Sequence, residues 1–172
     1  MPTPLAALLV AATLALPVRA ETSAVSASSF LSTHRVEVAA APRAVFEAIG
    51  RIGEWWSSEH VYSGNAANLS LELRAGACLC ERWDANSVEH GRVIYAQRDR
   101  TLRIETALGP LQEMAVTGIL QFAVAPADGG ATTLTVTYRV RGPDAGLDKV
   151  AAVVDRVLGE QARRLGAYAA RQ

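Results

Sequence analysis

The chain lacks an excess of charge of either sign: Lys+Arg and Asp+Glu each number 17 in 172 residues. That balance excludes the strongly basic surface a phosphate-binding protein needs, and it leaves no electrostatic case for nucleic acid or anionic lipid. Lysine is nearly absent, with Lys149 alone against sixteen arginines, and no mechanism follows from that bias. No apolar run reaches the roughly 20 residues that span a bilayer. Internal repeats, heptads and a second domain boundary are also missing. Neither a Ser-His-Asp nor a His-Glu-x-x-His spacing occurs, so no catalytic motif announces itself. What is present is globular composition, with 50% hydrophobic and 20% charged residues, enough for one packed domain.

Leu5 to Leu16 (LAALLVAATLAL) is an apolar run of signal-peptide length, followed by Pro17-Val18-Arg19-Ala20. Val18 and Ala20 are small residues at the two positions a signal peptidase reads. The expected organisation is a signal peptide over residues 1–20, a flexible small-residue lead-in over 21–32, and one folded domain over 33–172. The n-region carries no Lys or Arg, which keeps an uncleaved interfacial anchor as the alternative. No cysteine follows the run, so a lipoprotein anchor has no attachment site. Cleavage after Ala20 removes Arg19 and leaves 16 basic against 17 acidic residues. The expected location is periplasmic or secreted.

Arg35-Val36-Glu37-Val38 alternates as a half-buried strand does. Pro42 suits a first helical turn, and Val45, Phe46 and Ile49 follow at helical spacing. A second short helical stretch runs through Trp55 and Trp56. From Asn68 to Arg141 the period becomes two, with turn signals at Ala75-Gly76, Ala85-Asn86, Arg98-Asp99, Gly109-Pro110 and Asp128-Gly129. Six antiparallel strands result. Beyond Pro143, with Asp144 as N-cap, an amphipathic helix reaches about residue 170. The expectation is an α+β fold of order β-α-α-β6-α, a curved seven-stranded antiparallel sheet against a long C-terminal helix.

That element order resembles the START-like, or SRPBCC, superfamily, the helix-grip proteins like the birch-pollen allergen. The resemblance covers about residues 33–170. It is carried by VEVAAAPRAVFEAI, Trp55-Trp56, GACLCERW, SVEHGRVIYAQRDRTLRIE and ALGPLQ. Its nearest branch resembles the polyketide-cyclase/dehydratase-like proteins related to the activator of the ninety-kilodalton heat-shock chaperone. The resemblance implies a cavity between sheet and C-terminal helix. It does not imply one function.

Centring turns on the signals above pairs Leu71 with Cys80, Arg82 with Glu89, Cys78 with Val93, Tyr95 with Leu102 and Val93 with Ile104. Facing residues share a side of the sheet. This register puts Leu69, Leu71, Leu73, Cys78, Cys80, Val93, Tyr95, Leu102 and Ile104 on the apolar, cavity side. It puts Glu72, Glu81, His90, Arg92, Arg103 and Glu105 on the solvated side. Glu81 opposite His90 then becomes a surface pair, and His34 and His60 read as isolated surface or capping groups. A one-residue slip would reverse part of this sorting.

The candidate ligand-binding residues are therefore Arg82, Glu89, Tyr95, Tyr138, Trp55, Trp56, Cys78 and Cys80. Arg82 and Glu89 form either a rim salt bridge or a polar anchor for a ligand headgroup. Tyr95 and Tyr138 point inward as core or as ligand contacts, and each buried hydroxyl needs a partner. One of Trp55 and Trp56 packs, and the other gates the mouth. Cys78 and Cys80, about 6.6 Å apart on an extended strand, read as two buried thiols, with a strained, redox-labile disulfide as the alternative. No third soft ligand faces them, so no metal site, cofactor or catalytic residue is assigned.

The leading expectation is a non-catalytic exported protein that binds a small hydrophobic or amphipathic, lipid-like molecule. The alternatives are a cyclase or lyase working through Glu89 and Tyr95, a protein-interaction module, and a scaffold whose cavity is filled by its own side chains.

Overall fold

A computed structural model describes residues 19–143 and 146–172. Eight strands form one antiparallel sheet in the order β1-β2-β8-β7-β6-β5-β4-β3. The N-terminal hairpin is β1 (Arg19–Ser26) and β2 (Ser29–Val38). The helices α1 (Pro42–Gly50) and α2 (Ile52–Trp55) follow. Then come β3 (Leu69–Leu71), β4 (Cys78–Trp83), β5 (Asn86–Gln97), β6 (Thr101–Thr106), β7 (Thr117–Pro126) and β8 (Thr132–Arg141). The chain ends in α3 (Leu147–Ala169). Among the described residues, no helix is long and apolar enough to cross a membrane.

The sheet has one strand more than the sequence pattern predicts, and the addition is β1. Residues 21–32, expected as a flexible lead-in, instead supply most of the β1–β2 hairpin. Phe30 decides the matter: it is 1% exposed and packs edge-on against Tyr138, with ring centroids 6.1 Å apart. One fully buried ring in a serine-rich segment is enough to dock it, although it is too little to register as a periodic pattern. Residues 1–18, which hold the apolar leader, and Asp144, the expected N-cap, lie outside the described residues.

β2, β8 and β7 form the regular half of the sheet. Ten consecutive pairs run from Ser29↔Arg141 to Val38↔Thr132, and ten more from Thr117↔Arg141 to Pro126↔Thr132, without a shift. Alternate residues therefore stay on one face, and Leu134, Val136, Tyr138 and Val140 are all buried. Met114 and Val116, expected within a long strand, precede β7.

The helices close this face. Pro42 opens α1, which buries Val45, Phe46 and Ile49. α3 crosses β2 closely because two of its positions have no side chain. A Cβ on Gly159 would meet His34 Cε1 at 2.9 Å, and one on Gly166 would meet Val36 Cγ1 at 2.9 Å. Glycine costs a helix about 1 kcal/mol relative to alanine; here it permits the helix to sit on the sheet.

A candidate ligand cavity with a buried Glu–His pair

The other half of the sheet is irregular, and its irregularities decide what faces inward. β3 and β4 pair Leu71 with Leu79 and Leu69 with Glu81, one residue out of the expected register. Between β4 and β5 the register runs from Leu79↔Gly91 to Cys80↔Glu89, so His90 is an extra residue on β5. A second shift, between Val93↔Ile104 and Tyr95↔Arg103, makes Ile94 extra. Gly91 fits the first bulge: a Cβ there would strike the Glu105 carbonyl oxygen and come within 2.6 Å of Thr106 Cβ. Glycine inside a strand marks such close approaches.

The consequence for β4 is a change of face. Leu79 and Glu81 point inward, and Cys78, Cys80 and Arg82 point outward. Glu81 is fully buried and His90 nearly so, at 0% and 7% exposure. His90 Nε2 lies 2.9 Å from Glu81 Oε2. The same carboxylate accepts the Ser63 amide on Oε1 at 2.5 Å and the Tyr62 amide on Oε2 at 3.1 Å. Burial acts to raise the Glu81 pKa, but the donors from Ser63, His90 and Tyr62 outweigh it and hold the group below the ordinary carboxylate value. Glu81 is therefore ionised at neutral pH and can only accept. Nε2 of His90 then donates to Glu81, which leaves Nδ1 outside that hydrogen bond. That Nδ1 makes no hydrogen bond among the described residues.

His90 stacks on Tyr62, with centroids 5.8 Å apart and rings 24° from parallel. The Tyr62 hydroxyl donates to the Gly109 carbonyl at 3.1 Å and so straps the loop after α2 to the turn before β7. That loop is also tied to α3. The Ser57 amide donates to Gln161 Oε1 at 2.9 Å, and Arg164 Nε donates to the Trp55 carbonyl at 2.7 Å.

Between these elements lies a cavity of about 480 Å³. Leu69, Leu79 and His90 contribute from the sheet, and Val153, Val154, Val157 and Leu158 from α3. Ile52, Trp56, Val61 and Tyr62 form one wall, and Leu108 and Pro110 another. The polar lining includes His90, His60, Glu59 and Glu113, and among the described residues neither Arg nor Lys contributes. His60 Nε2 stands 3.5 Å from Glu160 Oε2 of α3, so it bridges loop and helix and is not isolated.

No family model matches the chain, and no curated protein matches it. Solved structures do. A Rhodobacter sphaeroides protein is similar at 17% identity over 90% of this chain and 100% of its own, with a TM-score of 0.58. Norcoclaurine synthase from Thalictrum flavum is similar at 11% identity over 87% of each chain, with a TM-score of 0.56. The di-domain ARO/CYC StfQ of the steffimycin biosynthetic pathway is similar at 12% identity, over 83% of this chain and 51% of its own, with a TM-score of 0.56.

The fold is the helix-grip fold.

In this helix-grip frame the sequence-predicted site separates. Trp56 lines the cavity and donates its indole N–H to the His60 carbonyl at 3.1 Å. Trp55 packs, donating to the Ala48 carbonyl and standing edge-on to Phe122. Tyr138 is inward as expected, but it belongs to the core. Its hydroxyl donates to the Thr106 carbonyl at 3.0 Å and accepts the Leu108 amide at 3.2 Å, and burial raises its pKa.

The remaining five residues lie on the outer face. Glu89 pairs at 2.6 Å with Arg92, not with Arg82. Tyr95 is turned out by the second bulge, is 40% exposed and carries the Arg103 guanidinium 4.8 Å over its ring. Arg82 is exposed, with Nη2 3.4 Å from Cys80 Sγ. Cys78 and Cys80 are joined in a disulfide, not held as two thiols. Facing the bulge, β4 is drawn in so that their Cα atoms are 5.3 Å apart, inside the range a disulfide accepts.

Glu81 and His90 are the polar groups that the sequence reading placed on the wrong face. The available signal was Gly91: a lone glycine in an alternating strand points to a bulge, and a bulge reverses the parity beyond it. His34 was also misplaced. It is 2% exposed, with Nε2 3.1 Å from Asp155 Oδ1 and 3.0 Å from Ser32 Oγ. Both partners meet one ring nitrogen, so this is a strand–helix clamp and not the relay geometry of a hydrolase. Among the described residues, no cluster of three or more potential metal ligands occurs.

Proposed function

We propose that the protein is an exported binder of a small hydrophobic molecule, held between α3 and the β3–β5 end of the sheet. The observation that carries this reading is the apolar cavity of about 480 Å³ with a few convergent polar groups, the usual composition of a ligand site. Its size and lining argue against a cavity filled by its own side chains. With Arg82 outside and two carboxylates, Glu59 and Glu113, in the lining, the ligand is neutral or cationic at its polar end. Among the described residues an anionic headgroup would meet neither Arg nor Lys there. Export rests on the apolar run Leu5 to Leu16 and the small residues Val18 and Ala20. Cleavage after Ala20 would leave Glu21–Ser26 to pair with β2.

The test is native mass spectrometry of the protein from its own host, beside a denatured spectrum. The reading expects a discrete adduct that is lost on denaturation and absent from Val157→Trp, which fills the cavity from α3. Absence of any adduct, together with no saturable uptake of a neutral apolar dye, would overturn it.

A second reading, proton-transfer catalysis in the same cavity, is favoured by the Glu81–His90 pair. Glu81 orients the ring, and Nδ1 is free to take a proton from a bound substrate. This pair replaces Glu89 and Tyr95, which face outward. Two of the similar structures are, by name, a synthase and an ARO/CYC. His90→Gln would keep ligand uptake and lose turnover if this reading holds. Undiminished turnover would end it.

A further inference from the structure

The Cys78–Cys80 disulfide joins two residues only two apart on one strand. A cross-link stabilises chiefly by restricting the unfolded chain, and a loop this small restricts very little. The pairing of β4 with β3 and β5 already fixes both residues. The bond therefore has no structural task comparable to its chemistry.

Its surroundings suit exchange. Cys78 is partly exposed, while Cys80 is 6% exposed. Arg82 Nη2 stands 3.4 Å from Cys80 Sγ, and Arg82 Nη1 reaches Ser70 Oγ at 3.5 Å, on the residue paired with Cys80. Arg92 is the register partner of Cys78, held by the Gly76 carbonyl at 3.1 Å and by Glu89 at 2.6 Å. The Arg82 guanidinium thus stands beside the bond on the outer face, the opposite side of the sheet from the cavity, while that of Arg92 is paired with Glu89. A cation beside a sulfur favours its thiolate form, and a stabilised thiolate is the better leaving group.

We infer that Cys78–Cys80 is a thiol–disulfide exchange site. An incoming thiolate attacks the more exposed Cys78 Sγ and forms a mixed disulfide. The Cys78–Cys80 bond breaks, and Cys80 leaves as a thiolate beside Arg82. A second thiolate then attacks the incoming sulfur of the mixed disulfide and releases Cys78. Two thiols are oxidised to one disulfide, and the protein gains two electrons and two protons. The chemistry is that of a thiolate donor, either a low-mass thiol or a protein dithiol.

The experiment equilibrates the folded protein in glutathione redox buffers, quenches with acid, alkylates free thiols and counts them by mass. The inference expects disulfide and dithiol forms to coexist across ordinary buffer ratios, and Cys80→Ser to trap glutathione on Cys78. Arg82→Ala should slow reduction roughly threefold to tenfold, with Arg82→Lys recovering part of the rate. A parallel arm with a small reduced dithiol protein separates the sources: the faster reductant at equal thiol concentration is the class of partner. A bridge that resists both reductants in the folded protein, or two cysteines that never join under air, would overturn the inference. An unchanged rate in Arg82→Ala would overturn the role of that residue. Uptake of a neutral dye by Cys78→Ser/Cys80→Ser should match the parent, which keeps this result separate from the cavity reading.

Discussion

The sheet has two halves built on different rules. β2, β8 and β7 run twenty residue pairs without a shift and carry the core. β3, β4, β5 and β6 are shifted twice, at His90 and at Ile94, and carry the cavity floor. Strict alternation keeps each parity on one face from end to end. Regular pairing would set Glu81 and His90 together on the outer face; the one-residue shift at β3–β4 and the bulge at His90 turn both inward. Regularity carries the core, and irregularity shapes the cavity.

Substitutions in the two halves should separate these roles. Phe30→Ala in the regular half removes a fully buried ring from the core and should lower stability by about 3–5 kcal/mol in urea unfolding. The cavity residues should remain arranged in whatever fraction stays folded. In the irregular half, Glu81→Gln should cost about 1.5–3 kcal/mol at neutral pH, because the Tyr62 and Ser63 amides and His90 lose a charged acceptor.

The pH dependence sharpens that second expectation. The folded pKa of Glu81 is depressed, so its contribution is present in full above the unfolded value near 4.5 and is lost as pH falls through the folded value. The gap between parent and Glu81→Gln should therefore close on acidification below pH 4.5. A gap independent of pH would show that the carboxylate charge is not what holds the loop.

Gly91→Ala should cost about 1–3 kcal/mol by overpacking against the Glu105 carbonyl, and it should weaken ligand uptake through the displaced His90. Tyr95→Ala, on the outer face between bulge and turn, should stay within about 0.5 kcal/mol of the parent.

The same division explains what could be read in the residues. Element order, the antiparallel sheet, the long amphipathic helix and the inward Tyr138 follow from periodicity, because β7 and β8 keep one parity from end to end. Turn placement also gave Val93 opposite Ile104 correctly, since that pair lies between the two bulges. It failed where the register slipped. A shift of one residue at β3–β4 and another at His90 carried Cys78, Cys80, Arg82 and Glu89 to the outside together. Asp84 and Asp99, at φ of 48° and 60°, take the left-handed turn positions, which centres these hairpins away from the neighbouring Ala85-Asn86 and Arg98-Asp99 pairs. β1 escaped because a strand of small polar residues has no period to detect.

The central claim is that the inner face at Leu79, Glu81 and His90 is the ligand side, and the face at Arg82 and Tyr95 is not. Fluorescence titration with Nile red, a neutral apolar dye, tests it most directly on the parent, Val157→Trp and Tyr95→Trp. The account predicts saturable one-site binding to the parent and to Tyr95→Trp, and its loss in Val157→Trp. Binding that survives Val157→Trp and disappears in Tyr95→Trp would put the site on the wrong side of the sheet and contradict the account.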